Sequence, residues 1–527
     1  MAWLKPFPFF VLTLVVLSTG RAAEFDVLIR GGRVLDGSGT PWVYADVGIN
    51  GDRIAAVGRL PEAKAKQVIE AAGLYVAPGF IDGHSHAGPA LAGEKLADAA
   101  ALLAQGITTV FVNPDGGGPT DLVLQRAMIE RQRPGVNVAQ LIGHNSVRID
   151  VLGNADRAPT EAEQAQMNGI VRRAMQAGAF GLSAGPFYTP GNFSKTEEHI
   201  VLARVAAEFD GFYTSHIRDE SDYNVGLVAA VDELIRVARE ARLPGIVTHI
   251  KALGPRVWGL SAQVIRNIDA ARAEGVEIFA DQYPYEAGST GLTAAIVPAW
   301  AREGGDGALR ARLANAETRA QIRTEMLENI ERRAGAAKIM ISRHRAYPAL
   351  EGRRLDEIAR AQVLEPVDAA IGIIRAGGAS IVTFVMGEED IRRFMVQPWT
   401  MTCSDGELVA LGDGVPHPRV FGAFPRKLRR YVVEEKVLTL ERAIHSMTGL
   451  PATVFRLPER GTLRAGAMAD VVVFDLATVR DVASYEDPHH FAEGMRAILV
   501  NGRVALEGGK VTSERAGRIL VKTFQVK

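Results

Sequence analysis

A single cysteine, Cys403, stands in a chain of 527 residues, so no disulfide can form within the chain whatever the redox state of its compartment. Stability has to come from the size of the core. An excess of one charge is also missing: 60 Lys and Arg stand against 61 Asp and Glu, a formal net charge of -1. That balance gives no electrostatic ground for nucleic acid or an anionic membrane surface as a partner, and a small-molecule substrate fits better. Long apolar runs are absent too, so no membrane span, which needs about 20 apolar residues, is expected in the mature chain. The one short run, over 7–17, follows Lys5, is broken only by Pro8 and Thr13, and precedes Gly20-Arg21-Ala22-Ala23. A cationic start, a short apolar stretch and small residues in that order predict a signal peptide over 1–23, hence export to the periplasm or medium.

Glycine, by contrast, is plentiful, with 54 residues, and suits a globular protein with many strand-to-helix turns. The length exceeds what one small core needs, which predicts a large catalytic domain with an accessory unit. Phe25-Asp-Val-Leu-Ile-Arg-Gly-Gly-Arg-Val-Leu-Asp-Gly-Ser-Gly alternates apolar and polar residues and ends in turn formers, and Asn50-Gly51-Asp52 reads as a hairpin turn soon after. At the other end, Ala469-Asp-Val-Val-Val-Phe-Asp and Ile498-Leu-Val-Asn-Gly-Arg-Val-Ala-Leu-Glu-Gly-Gly have the same texture. Neither half can bury a face alone, so residues 24–76 and 451–527 are expected to pair into one small β-sandwich. Between them, helical periodicity over 96–105, 161–177, 225–240 and 262–273 alternates with short apolar strands such as Thr108-Thr-Val-Phe-Val and Gly245-Ile-Val-Thr-His. Such alternation predicts a parallel sheet closed into a (β/α)₈ TIM barrel over 77–450, in an α/β fold, with a small inserted domain at about 293–396 before the last barrel strand.

The sharpest local pattern is Pro78-Gly-Phe-Ile-Asp-Gly-His84-Ser-His86. Alternation along a strand points His84 and His86 the same way, a ready pair of imidazole ligands for a metal. Thr214-Ser-His216 and Val247-Thr-His249 each end a predicted strand with a histidine, where barrel active sites are built. Thr402-Cys403-Ser404-Asp405-Gly406 adds an acid at the final strand. Asp405 can ligate a metal and accept a proton from the attacking water, or it can be a turn aspartate before Gly406.

A β module ending in this His-x-His strand, two later strand-end histidines and Ser-Asp-Gly together resemble the amidohydrolase superfamily. Longer blocks look like its D-aminoacylase, or N-acyl-D-amino-acid deacylase, branch: Gly143-His-Asn-Ser-Val-Arg148, Gly181-Leu-Ser-Ala-Gly185 with Tyr188-Thr-Pro-Gly, His249-Ile-Lys251, Asp281-Gln-Tyr-Pro-Tyr-Glu-Ala-Gly-Ser289-Thr, and Pro416-His-Pro-Arg419. The resemblance implies a metal-dependent hydrolase of N-acyl amino acids, with zinc, as one ion or two, or another divalent metal as cofactor. It implies His84, His86, His216, His249 and Asp405 as metal ligands and Asp405 as general base. Lys251, Tyr283, Ser289 and Arg419 would line the substrate pocket, although Lys251 and Arg419 read equally as members of structural ion pairs. One departure stands out. Where the branch carries Gly-Asn-Cys-Gly with a ligand cysteine, this chain reads Val112-Asn113-Pro114-Asp115-Gly116. Asp115 then either bridges two cations through its carboxylate or caps the glycine-rich turn.

Two other enzyme readings stay open at this level. A cyclic-amide hydrolase of the hydantoinase or dihydroorotase sort, or a D-amino-acid-releasing dipeptidase, shares the metal chemistry and differs only in the pocket. A serine esterase is suggested by Gly181-Leu-Ser183-Ala-Gly185, which has the form of a nucleophile elbow. A non-catalytic exported metal-binding protein is the remaining alternative, and the oligomeric state is left open.

Overall fold

Short apolar strands, almost wholly buried, recur between helices through the middle of the chain, because a strand covered on both sides has no polar face to show. In the computed structural model, which describes residues 24–523, eight such strands form a barrel. The expected signal peptide, 1–23, lies outside the described residues. The strands are Phe80–Asp82, Ile107–Val112, a third in two pieces (Asn137–Gln140 and Ile142–Gly143), Gly181–Ala184, Phe212–Ser215, Gly245–Val247, Ile278–Gln282 and Thr400–Thr402. Each pairs in parallel with the next. The ring closes where Asp405 N donates to His84 O at 3.0 Å and His86 N to Gly406 O at 2.9 Å.

Residues from or next to every strand meet inside. Ile81, Phe111, Ala139, Phe180, Phe212, Ile246 and Met401 cluster with Phe279 packed against them, and the ring of Phe455 lies 4.4 Å from that of Phe111, tilted by 32°. An apolar plug therefore fills the barrel interior, with Asn137 and Thr109 hydrogen-bonded to each other near its lower end, and the histidines and aspartates gather at the upper, C-terminal rim. Helices cover the outside. Glu161–Gln176 starts with a capping box between Thr160 and Glu163, and Leu227–Ala241 turns Leu234, Val237, Ala238 and Ala241 inward. The helix expected over 96–105 shrinks to Ala100–Leu103, because Ala99 takes a left-handed conformation at φ 57° and breaks the turn before it.

The two terminal halves join in one nine-stranded sheet. Tyr75–Pro78 pairs antiparallel with Val471–Phe474, and an isolated bridge between Arg53 and Met468 draws the far edge back. Val47, Ile49, Val471, Val473 and Leu499 fill the fold of this curled sheet. Each buried valine there is worth about 1.5–3 kcal/mol relative to leaving it in water. The last residues leave this unit: Ile519–Leu520 pairs in parallel with Val138 and Ala139 of the third barrel strand, and Lys522 N reaches Gly178 O at 3.1 Å. The tail thus fills the gap below the point where the third and fourth strands meet, a placement that its polar surroundings in the sequence do not announce.

The insertion has its own core around Leu292, Ile296, Leu313, Ile322, Ile339 and Ile381. Its antiparallel sheet runs Ala287–Gly291, Ser380–Phe384, Ile339–Arg343. It spans 287–384, against the expected 293–396. The first strand reads Ala-Gly-Ser-Thr-Gly, which has no apolar alternation to reveal it. At the other end, the helix Glu388–Met395 packs on the barrel helix Ser261–Ala273 and belongs to the barrel.

Candidate metal centre

Strand ends deliver His84, His86, Asp115, His216, His249 and Asp405 to the upper rim, in two adjoining groups. His84, His86, Asp115 and Asp405 form one, Asp115, His216 and His249 the other, and Asp115 is common to both. His84 Nε2 lies 3.4 Å from Asp115 Oδ1 and 3.4 Å from Asp405 Oδ1. His86 Nε2 lies 3.4 Å from Asp115 Oδ2 and 3.2 Å from Asp405 Oδ1, and His249 Nε2 is 3.5 Å from Asp115 Oδ1. Two ligand atoms each about 2.1 Å from one ion at the tetrahedral angle stand about 3.4 Å apart. The spacing around the two carboxylates is therefore that of co-ligands, at or beyond the long end of direct hydrogen bonds, whereas His216 Nδ1 and His249 Nε2 meet at 2.9 Å, a hydrogen-bond distance.

The donor set fits a divalent cation on a second count. His84 Nε2 and Asp115 Oδ1 are buried with no hydrogen-bond partner, a state that costs about 1–3 kcal/mol per atom unless something fills it. Imidazole and carboxylate suit zinc and similar ions. Electrostatics agree. Burial disfavours charge on His86, yet Asp115 and Asp405 raise it to about 9. Burial by itself would raise Asp115, but His84, His249 and His86 hold it well below the usual carboxylate range. The pair of carboxylates demands positive charge between them.

Backbone strain marks the same place. Asn113, Asp115, His249 and Asp405 are non-glycine residues with φ of 67, 56, 37 and 48°, a left-handed region that Asn and Asp enter more readily than other L residues and that is uncommon for a residue such as His249. For Asp115 the groups that hold this conformation are visible. Ser183 Oγ donates to Asn113 O at 2.6 Å and accepts from Gly116 N at 3.1 Å, bracketing the loop. Gly185 closes on it so tightly that a Cβ there would stand 2.3 Å from Asp115 O. The hydroxyl of Ser183 is buried and fully engaged, so the Gly181–Ala184 segment is a brace and the nucleophile-elbow reading falls. His144 and Arg148 both grip Glu198. Next to them Asn145 Nδ2 donates to Gly185 O at 3.0 Å, steadying the loop that brings Phe187 and Tyr188 to the site.

Partners beyond the ligand groups include several that the sequence patterns did not single out. Glu220 accepts from Lys251 and lies 3.1 Å from His249 Nδ1, which Lys251 Nζ also meets at 2.7 Å. Burial would raise Glu220, but His216 and Lys251 hold it ionised far below its ordinary range. Such a carboxylate behind a histidine fixes the ring's orientation. Its sequence signal is weak: an acid four residues after His216. Asp281 Oδ1 accepts from His249 N at 2.6 Å, and Asp82 accepts from Ser404 N at 3.0 Å and from its hydroxyl. Cys403 is buried and belongs to neither ligand group. Burial and the acids Asp281, Asp82 and Asp405 push its thiol well up.

A cavity of about 790 Å³ opens over the groups, within the range of small-molecule sites. Lys251, Tyr283, Ser289 and Arg419 all line it. Arg419 is not free, however: it donates to Asp405 Oδ2 at 2.6 Å and lies over the Tyr283 ring at 4.7 Å. Lys251 is likewise held by Glu220. The ion-pair reading of these two cations thus describes their contacts in the structure.

Comparison with known proteins places the chain. An amidohydrolase family matches residues 67–506. A D-aminoacylase from Alcaligenes xylosoxydans xylosoxydans is 34% identical over 96% of this chain and 100% of its own length. An N-acyl-D-glutamate deacylase from the same organism is 37% identical over 94% of this chain and 96% of its own. The crystal structure of N-acyl-D-glutamate deacylase from Bordetella bronchiseptica, complexed with zinc and a phosphonate mimic of the tetrahedral intermediate, is 35% identical, with a TM-score of 0.80 over 94% of this chain and all of that one. The barrel, the terminal sheet and the rim of histidines and aspartates described above therefore belong to a member of the amidohydrolase family.

Proposed function

We propose that the protein hydrolyses the amide bond of N-acyl amino acids, of D configuration, at a divalent metal centre built from His84, His86, Asp115, His216, His249 and Asp405. The observation that carries this reading is Asp115, whose two oxygens face both ligand groups at co-ligand spacing. The relatives named D-aminoacylase and N-acyl-D-glutamate deacylase supply the substrate class. These residues would hold a zinc ion, which would supply carbonyl polarisation and hydroxide near neutral pH. Asp405, ionised and oriented by Arg419, accepts the proton of the hydrolytic water through Oδ1 and returns it to the leaving nitrogen. Tyr283 and Ser289 offer hydroxyls to the substrate from the cavity wall. Lys251 and Glu220 hold His249 in place. A water-excluding floor comes from the apolar barrel interior beneath.

Metal analysis of the purified mature protein, paired with a screen of N-acyl-D- and N-acyl-L-amino acids, tests the proposal. Chelation should abolish hydrolysis and zinc should restore it, with the D series preferred. Activity that survives complete metal removal, or a metal-loaded protein that cleaves none of these amides, would end it. We also propose export, supported by the order of Lys5, the 7–17 apolar run and Ala22-Ala23. Amino-terminal sequencing of the protein from cell and periplasmic fractions checks it, and an intact Met1 in the exported pool would count against it.

A further inference from the structure

Lys251, Arg333 and Arg419 are the lysine and arginine side chains that line the cavity. Two of the three already have carboxylates: Lys251 has Glu220, and Arg419 has Asp405. Arg333 has none. Its Nε donates to Ala295 O at 3.4 Å and its Nη1 to Thr383 Oγ1 at 3.1 Å. The guanidinium lies 5.8 Å from the Tyr223 ring centre and hydrogen-bonds that side chain, so its partners found among the described residues are all neutral. Yet the residue is only 2% exposed. A buried guanidinium with neutral partners alone is unfavourable, and it keeps donors of its planar fork for an anion.

The surroundings make a wall. Arg333 follows the helix Ala316–Arg332 of the insertion. Thr383, its acceptor, pairs with Gly288 across the insertion sheet, next to Ser289. Ser289, Thr290, Ser380 and Thr383 all line the cavity on this side. Tyr223 stands 5.6 Å from Phe187, which itself lies 5.3 Å from His216, so the guanidinium is two rings away from the metal groups.

We propose that Arg333 is the cavity's anion anchor and takes a carboxylate of the substrate, with the hydroxyls of its wall as further donors. This rests on the deacylase reading above. Two carboxylates of an N-acyl amino acid have the required chemistry: the α-carboxylate shared by every such substrate, or the side-chain acid of a dicarboxylic one. Either way a residue of the insertion takes part in the recognition of charge.

Kinetics of Arg333→Met and Arg333→Lys with N-acetyl-D-leucine and N-acetyl-D-glutamate, alongside thermal melts with and without glutarate, decide the matter. The Met variant should raise KM at least ~10-fold with kcat nearly unchanged, and the Lys variant should recover part of the loss. A rise for both substrates assigns the α-carboxylate; a rise for the glutamate derivative alone assigns the side-chain acid. Unchanged KM for both substrates, or a fall in kcat with KM unaltered, overturns the proposal. If Arg333→Met does not fold, Thr383→Val takes its place, since it removes the hydroxyl that aims the fork, and an unchanged KM there is equally fatal. Should the parent protein hydrolyse neither compound, the deacylase reading fails on its own. Glutarate then still judges the anchor: stabilisation of the parent but not of the variant upholds it, and equal stabilisation of both refutes it.

Discussion

Arg419 binds Oδ2 of Asp405 and leaves Oδ1 turned towards His84 and His86. One guanidinium thus both orients the carboxylate and keeps it ionised. Burial would raise the pKa of Asp405, and Arg419 is the first of the groups that hold it well below its ordinary value. In Arg419→Met the carboxylate pKa rises, so the acid limb of kcat/KM must move to higher pH. The rate at the plateau should fall by about 10–100-fold, because the base is kept but is poorly placed. A pH profile of kcat/KM for parent and variant measures both effects.

Asp115 is shared by the two ligand groups, so Asp115→Ala should weaken metal binding at least ~10-fold and lower the metal content of the purified protein. Asp115→Cys restores the residue type that the D-aminoacylase branch carries and should retain metal through its thiolate. Elemental analysis after dialysis against a weak chelator distinguishes the two variants.

Ser183 braces the Asp115 loop through Asn113 O and Gly116 N. Ser183→Ala should therefore cost less than ~10-fold in kcat, where removing a catalytic serine costs about a millionfold. A serine-directed phosphonate should leave the parent enzyme fully active.

Lys427 is buried, with its Nζ donating to Thr402 Oγ1 and Ser446 Oγ, both at 2.9 Å. Burial pushes its pKa down from 10.5 to about 7. Between those two values the unfolded chain holds a proton that the folded one lacks, so this lysine opposes folding. Its penalty is complete below the folded value and vanishes above the unfolded one. Stability should accordingly rise with pH through this window by up to about 1.4 kcal/mol per pH unit from this group. Denaturant melts at several pH values should show that rise in the parent and a flatter curve in Lys427→Met.

The barrel was legible because buried parallel strands and their helices write two distinct periodicities into the chain. The pairing of the terminal halves followed from the bare apolar faces around Val27 and Val471. Much of the rim was legible for the same reason: a strand end followed by a histidine has only one place to point. The roles of Glu220 and Asp281 were not, because both act through His249: Glu220 sits at no motif, and the block that Asp281 opens says nothing of its bond to the His249 backbone. Arg333 is further still from recognition by pattern, since it reaches the cavity from a helix end in the insertion, and only the packing of Thr383 and Tyr223 reveals where its charge faces. The pairing of Lys251 with Glu220 and of Arg419 with Asp405 shows the same limit. Sequence places a cation near the site, but which anion it meets is decided by side-chain geometry.

The antiparallel partnership of Tyr75–Pro78 with Val471–Phe474 has a consequence in time. During synthesis the amino-terminal strands emerge first and must wait, edges open, while the entire barrel is made. Their partners arrive only after it, and Ile519–Leu520, which pairs with the third barrel strand, comes later than these. An unfinished chain therefore carries sticky strand edges for most of its synthesis, and a chain cut before Ile519 would leave the barrel without its final seal.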